Sequence, residues 1–353
     1  MNTITENKIS RFDSKLSEAK SITIVTHSKP DGDAIGSSVA MLHTLSLYGK
    51  TGTIVIPNST PPYLNFITDD ICNHLLNHEL DADKAESAIL SSDLIICLDF
   101  NGFHRTDNLA TTLSEASADK VLIDHHLNPD TASFSLVFSE TETSSASELL
   151  FNVLMSLPKV KGKVENIPIQ ACTALMTGMT TDTNNFANSV FPSTLSMASS
   201  LLGAGVDRDM IIQHIYNGFR ESRVRLMGHI LKDLLKITED GVAYVILDKN
   251  TLLEYNVAEG DTEGFVNIPL SIGKVKMSIL IKEDNGVARV SIRSRKGISA
   301  NRCARMYFNG GGHENAAGGR LYMPENISGI DQAGKYIETF THRFMTGNDE
   351  DNN

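Results

Sequence analysis

The sequence predicts an α/β chain of two domains, an N-terminal parallel-sheet domain joined by a helical linker to a smaller α+β domain. Three observations carry this expectation. The chain has 353 residues, its first half alternates short β-branched runs with helical patterns, and beyond the middle the period changes to that of paired strands. The boundary falls near Gly218 to Arg225, giving a first domain over 1–218, a second domain over 219–345 and a disordered acidic tail over 346–353.

In chain order, SITIVTH (21 to 27), GTIVIP (52 to 57), DLIICLD (93 to 99) and KVLID (120 to 124) read as strands. Each is apolar throughout, as strands covered by helices on both faces should be. Between them AIGSSVAMLHTLSLYG reads as a helix ending at Gly49. SSASELLFNVLMSLP is a further helix after an N-cap serine, and IPIQACTALMTGMTTDT another. After Phe186, STLSMASSLLGAG, DRDMIIQHIYNGF and RESRVRLMGHILKDLLKI read as connecting helices. VAYVILD, VKMSILIKED and GVARVSIRSR are strands again, with EDNG as a hairpin turn of type I′ and a closing helix near Gly334 to Phe344.

The composition is that of a globular protein, 41% hydrophobic and 21% charged. MNTITENKIS has neither a basic nor an apolar leader region, and no apolar run suffices to cross a membrane, so the expected location is the cytoplasm. Cys72, Cys97, Cys172 and Cys303 are too far apart in sequence for a C-x-x-C pair and read as reduced thiols packed as small hydrophobes. A net charge of −12 excludes a protein that grips long nucleic acid along a basic face. The stretch Leu270 to Arg320, however, holds ten Lys/Arg against three Asp/Glu. It carries +7 against −19 elsewhere, which implies a local anion site.

Acidic and histidine side chains fall where the first domain's strands end. The first strand runs into His27, Asp31 and Asp33, the third ends at Asp99, and the fourth ends at Asp124, His125 and His126. In open parallel sheets the ligand crevice lies outside the carboxyl ends of strands, so these groups should converge. Asp182, closing a helix, is a further candidate. Singly, His27 reads as a core or capping residue, Asp31-Gly32-Asp33 as a turn and Asp182 as a helix cap. Adjacent imidazoles at His125 and His126 gain nothing for a core, and the joint pattern calls for chemistry. Carboxylates and imidazoles without thiolates suit Mn²⁺ or Mg²⁺, and the ligand count exceeds what one ion needs. Two ions are the natural number, and such a pair clamps a phosphoryl group for in-line attack.

In the second domain NGGGHENAAGG (309 to 319) gathers five glycines around His313. Backbone N–H groups of Gly310, Gly311 and Gly312 would form a phosphate nest, and Arg293 and Arg295, two residues apart on one strand face, would grip a terminal phosphate.

HSKPDGDAIGS, Asp99, Asp124-His125-His126 and TTDTNNF resemble the four motifs of the DHH phosphoesterase superfamily, and SIRSR with GGGHENAAGG resembles its DHHA1 C-terminal domain. The resemblance spans residues 20 to 344 and is greatest to nanoRNase and pAp-phosphatase proteins of the NrnA type. It implies hydrolysis of short single-stranded oligonucleotides or small nucleotide phosphates with two divalent metals, Mn²⁺ before Mg²⁺ or Co²⁺. By the same resemblance His27, Asp31 and Asp99 would hold one ion, and Asp33, Asp99, His125 and Asp182 the other. His126 would face the substrate, Asp124 would orient the histidines, and Arg105 would also touch phosphate. Arg293, His313 and Gly310 to Gly312 would receive the substrate's far end. Two departures from the family pattern are Asn184 and Asn185, where glycine commonly follows the TDT triplet, and the segment FNGFHR after Asp99. The alternatives are a cyclic-dinucleotide or linear-dinucleotide phosphodiesterase and a non-catalytic nucleotide sensor. RNA or DNA preference, cleavage polarity and a homodimer are left open by the residues.

Overall fold

The computed structural model describes residues 3–258 and 260–347. Two compact units divide it, Met1–Gly218 and Phe219–Asn353.

The first unit begins with α1 (Glu6–Glu18), β1 (Ile22–Val25), α2 (Gly32–Thr44), β2 (Thr53–Ile56), α3 (Asn65–Thr68) and β3 (Leu75–Asn77). It continues with α4 (Ala82–Leu90), β4 (Leu94–Leu98), α5 (Leu109–Glu115), β5 (Asp119–Asp124), β6 (Leu136–Ser139), α6 (Ala146–Met155), α7 (Ile169–Asp182), α8 (Pro192–Gly203) and α9 (Arg208–Tyr216). The strands line up in the order β3-β2-β1-β4-β5-β6, and every pairing is parallel. All residues of β1 and β4 are buried. Period-2 alternation explains how: Ile24, Ile54, Ile96 and Ile123 face one helical layer, while Val25, Val55, Ile95, Cys97 and Leu122 face α4 and α5.

The strand order reverses direction between β1 and β4, which are hydrogen-bonded neighbours. Their chains leave toward opposite sides of the sheet and open a crevice beyond their carboxyl ends.

Helices α2 and α7 approach closely because they meet through glycine. A Cβ on Gly36 would lie 2.6 Å from the Ala174 carbonyl oxygen, and one on Gly32 would lie 2.3 Å from Thr181 Oγ1. This contact sets the start of α2, with Asp31 and Asp33, beside the end of α7, with Asp182. The helices expected as connectors, α8 and α9, instead pack on this unit, burying Met197, Leu201, Ile211 and Ile215 in its core. Helix α1, β3 and β6 add to the expected elements.

The second unit holds α10 (Glu221–His229), β7 (Lys236–Ile237), β8 (Val242–Leu247), α11 (Lys249–Glu254), β9 (Met277–Asp284) and β10 (Val287–Ser294). After these come α12 (Ala300–Tyr307), β11 (Gly311–Gly312), β12 (Ala316–Tyr322) and α13 (Ala333–Thr346). Its sheet runs β11-β12-β10-β9-β8-β7, with β8 and β9 parallel and the other pairs antiparallel. Asn285 at φ 48° and Gly286 at φ 83° form the turn between β9 and β10, the two left-handed residues a type I′ hairpin requires. One sheet face packs Ile279, Val290 and Ile292 against Cys303 of α12 and Ile337 of α13.

Helix α13 continues through Thr346 to a left-handed Gly347, so the expected acidic tail overlaps its last residue; positions 348–353 lie outside the described residues. Cys97, Cys172 and Cys303 are buried as expected, whereas Cys72 is exposed. Among the described residues no helix is long and apolar enough to cross a membrane.

Gly36→Ala drives a methyl group into the α7 backbone and is expected to lower stability by about 1–3 kcal/mol, the usual effect of overpacking. Thermal denaturation measures it, and an unchanged melting temperature would show that α2 and α7 are not locked together.

Candidate metal centre

At the carboxyl end of β1 the chain runs through Thr26, whose hydroxyl donates to the Leu98 carbonyl at 3.0 Å, into His27. His27 Nδ1 lies 2.9 Å from the Ser28 carbonyl oxygen, so Nδ1 donates there, and only the neutral ring presents a lone pair on Nε2. That nitrogen is 3.4 Å from Asp99 Oδ2 and 3.9 Å from Asp31 Oδ1. Asp31 caps α2, accepting from the Asp33 and Ala34 amides at 3.0 and 3.1 Å.

Asp99 follows β4 directly and adopts a left-handed backbone, φ 63°, uncommon for any residue but glycine. This bend turns its carboxylate into the crevice. Oδ1 there lies 3.5 Å from His125 Nε2 and 3.7 Å from His126 Nδ1. His125 Nε2 is in turn 3.5 Å from Asp182 Oδ2, and His126 Nδ1 is 2.7 Å from Asp124 Oδ1.

Asp33 is buried and gripped from a direction the sequence did not reveal. The first amides of α6, on Ala146 and Ser147, donate to its two carboxylate oxygens at 2.6 and 2.9 Å. A helix N-terminus thus stabilises this carboxylate. Gly178 of α7 admits the arrangement, because a Cβ there would stand 2.7 Å from Asp33 Oδ1 and 2.1 Å from Ser147 Oγ.

Potential ligand atoms therefore cluster as His27, Asp31 and Asp99; as Asp33, His125 and Asp182; and as Asp99, Asp124 and His126, each set within 4.8 Å. The structure brings together all eight residues that the sequence placed at this site. Arg105 stands at the rim: its carbonyl accepts the Ser28 amide at 2.8 Å, and its charge acts against protonation of His27.

The electrostatics follow from crowding. Burial opposes protonation of His27, but Asp99 and Asp31 prevail and raise it to about 9. Burial likewise opposes protonation of His125, and Asp99 with Asp182 raises it well above the usual imidazole range. Burial would raise Asp99, yet these two imidazoles hold it well below the carboxylate range. Burial pushes Asp33 up, helped by Asp99 and Asp182. Burial raises Asp182 to about 7; His125 opposes the rise, and Asp31 and Asp99 support it. Protonated imidazoles thus supply the positive charge that cations would. The fit to metal is chemical as well: Asp99 Oδ1 and Asp124 Oδ2 are buried without a hydrogen-bond partner, an expensive state that an ion relieves. The donor set is oxygen and imidazole nitrogen, which suits hard to borderline divalent ions.

After Asp182 the backbone passes through three left-handed residues, Asn184, Asn185 and Phe186, at φ 46°, 57° and 66°. Asparagine tolerates this region better than other residues with a Cβ, so Asn184 keeps a backbone that glycine would also adopt. Asn185 is further held by Arg208 through its side-chain oxygen.

In the second unit the expectations are revised. The glycine loop is not an open nest: the Gly310, Gly312 and His313 amides donate to the Ala304 carbonyl, Asn301 Oδ1 and the Ala316 carbonyl at 3.2, 3.0 and 2.7 Å. Its glycines answer to close packing, since a Cβ on Gly310 would lie 1.9 Å from the Gly318 carbonyl oxygen. Arg295 falls one residue past β10, and its guanidinium donates to the Leu270 and Ile272 carbonyls at 2.8 and 3.2 Å. Arg293 remains on β10, on the face not packed against α12 and α13, with Nη1 3.0 Å from the Ile292 carbonyl oxygen.

The chain matches the model of the DHH family, N-terminal domain, over residues 21–179 and that of the DHHA1 domain over 227–338. It is 32% identical over 308 residues to the bifunctional oligoribonuclease and PAP phosphatase NrnA of Thermus thermophilus, covering 85% of this chain and 84% of that one. It belongs to the DHH/DHHA1 family, in its NrnA-type group. The Bacillus subtilis protein named bifunctional oligoribonuclease and PAP phosphatase NrnA is 25% identical, covering 85% of this chain and 89% of that one. Among solved structures, an exopolyphosphatase-related protein from Bacteroides fragilis superposes with a TM-score of 0.90 at 34% identity, covering 98% of both chains. The matched DHH region holds His27, Asp31, Asp33, Asp99, Asp124, His125 and His126, while Asp182 lies three residues beyond it.

If His27 is a ligand, a divalent ion must displace its proton, so affinity for the ion should rise with pH up to about 9. Calorimetric titration across that range tests the sign; a flat profile would mean that His27 is not a ligand.

Proposed function

We propose that this chain is a cytoplasmic phosphoesterase that hydrolyses very short single-stranded oligonucleotides and pAp-like nucleotide phosphates to nucleoside monophosphates, using two divalent ions, Mn²⁺ foremost. One observation carries the reading: the Asp99 carboxylate at the sheet's switch point stands 3.4 and 3.5 Å from His27 and His125, each of which belongs to a different acidic cluster. A carboxylate shared in this way is what two neighbouring cations require.

In this proposal His27, Asp31 and Asp99 hold one ion, and Asp33, Asp99, His125 and Asp182 the other. When bound, the pair supplies Lewis acidity to the phosphoryl group and lowers the pKa of attacking water. The chain's own side chains do the rest. Asp124 fixes the His126 ring through Nδ1, and His126 stabilises charge that develops on the scissile phosphate. Arg105, at the crevice rim, orients a phosphate oxygen. In the second unit Arg293 is the candidate for a phosphate contact, whereas Arg295 supports the fold through the Leu270 and Ile272 carbonyls. The charge pattern supports short substrates: a body at −19 repels long polyanions, and the +7 stretch favours small ones.

Turnover of di- to pentanucleotides, pAp and cyclic di-AMP in Mn²⁺ tests the substrate class. Asp99→Ala is expected to abolish turnover of every active substrate, and Arg293→Ala to raise KM with kcat largely kept. Substantial activity in the Asp99 variant would remove the two-ion scheme, and turnover of cyclic di-AMP alone would move the substrate class.

A further inference from the structure

Glu148 is completely buried in the first turn of α6, yet no expected function uses it. Its Oε2 accepts from three donors: the Ser144 amide at 3.0 Å, the Ser144 hydroxyl, and the Thr194 hydroxyl of α8 at 2.6 Å. The Glu148 amide itself donates to the capping Ser145 hydroxyl at 3.0 Å. Thr194 is fixed independently, because its Oγ1 accepts the Phe191 amide at 3.0 Å. The residues between these anchors are Ala146 and Ser147, whose amides hold Asp33.

A glutamate three residues after a capping serine ordinarily serves only its own helix end. Here it joins that end to a second helix, and the amides so fixed are directed at Asp33. We infer that Glu148 is a positioning residue for the metal centre, which sets the α6 N-terminus, and with it the Asp33 carboxylate, through Ser144 and Thr194. This rests on the reading that Asp33 holds a metal ion. The physical reason is the tightness of the cradle. Asp33 is held by two amides at 2.6 and 2.9 Å, so a shift of the α6 N-terminus is transmitted directly to its oxygens. Partners of ligands, one step removed from a metal, typically change affinity by about 10- to 100-fold when altered.

Glu148→Gln keeps the shape but removes the charge that strengthens all three hydrogen bonds to Oε2, and its amide group would replace Oε1, which is buried without a partner. Thr194→Val is the milder variant, removing one donor at nearly equal volume. Both are compared with the unsubstituted protein by Mn²⁺ titration calorimetry and by amide hydrogen exchange at Ala146 and Ser147, without substrate. The expected result for Glu148→Gln is about 10- to 100-fold weaker binding of one of two ions, with faster exchange at those two amides. Thr194→Val should move both readouts the same way by less, and kcat should fall in parallel while KM holds. Two ions bound by a folded variant as tightly as by the unsubstituted protein would overturn the inference. If the unsubstituted protein binds no divalent ion, the metal reading itself fails. Should Glu148→Gln not fold, Thr194→Val decides alone, and unchanged affinity with unchanged exchange there would equally refute the role.

Discussion

The first unit depends on gathering negative charge where little water can reach it. Asp33, Asp99 and Asp124 are all nearly inaccessible, and Asp31 and Asp182 stand beside them. An isolated buried carboxylate is strongly disfavoured, so a fold that assembles this many must supply positive charge. Two imidazoles do so for Asp99, outweighing burial and holding its carboxyl low. Asp33 moves the other way, because burial raises it and its neighbours Asp99 and Asp182 add to the rise. Opposite shifts of two buried carboxylates in one crevice are the pattern that functional sites commonly show.

Geometry then follows from small residues. Glycines at 32, 36 and 178 let α2, α7 and the start of α6 approach to distances that any Cβ would block. That closeness makes an interhelical contact serve as the frame of a ligand set. The left-handed bend at Asp99 works at the same scale, turning one carboxylate out of the strand direction and between two rings. Backbone strain of this kind persists only where surrounding packing holds it, and β4 is buried along its whole length.

Much of this was legible in the residues. Uniformly apolar strands and the acidic and histidine groups at their ends predicted a parallel sheet with a crevice, because both signals are local and periodic. The grip of α6 on Asp33 was not legible, since its partners lie 113 and 114 residues away and the run of small residues before α6 reads as an ordinary cap. The glycine loop misled for the converse reason. Glycine is required both by backbone that receives an anion and by backbone that crosses another strand, and Gly310 against Gly318 is the second case. Arg295 shows the same limit: spacing puts it near Arg293, but only the fold reveals the carbonyls that occupy it.

The candidate ligands come from the ends of β1, β4 and β5 and from α2 and α7, between His27 and Asp182, so no local segment can assemble them. If they hold an ion as proposed, metal affinity and folding of the first unit are one linked equilibrium. An ion at a hundred times its dissociation constant adds about 2.7 kcal/mol to stability if the unfolded chain does not bind it. Without the ion the same contacts are sustained by protonated His27 and His125, which weaken as pH rises through about 9 for His27. A bound cation would take over the same role. Below that pH protonated His27 balances the buried carboxylates, and a cation bound there would have to displace that proton.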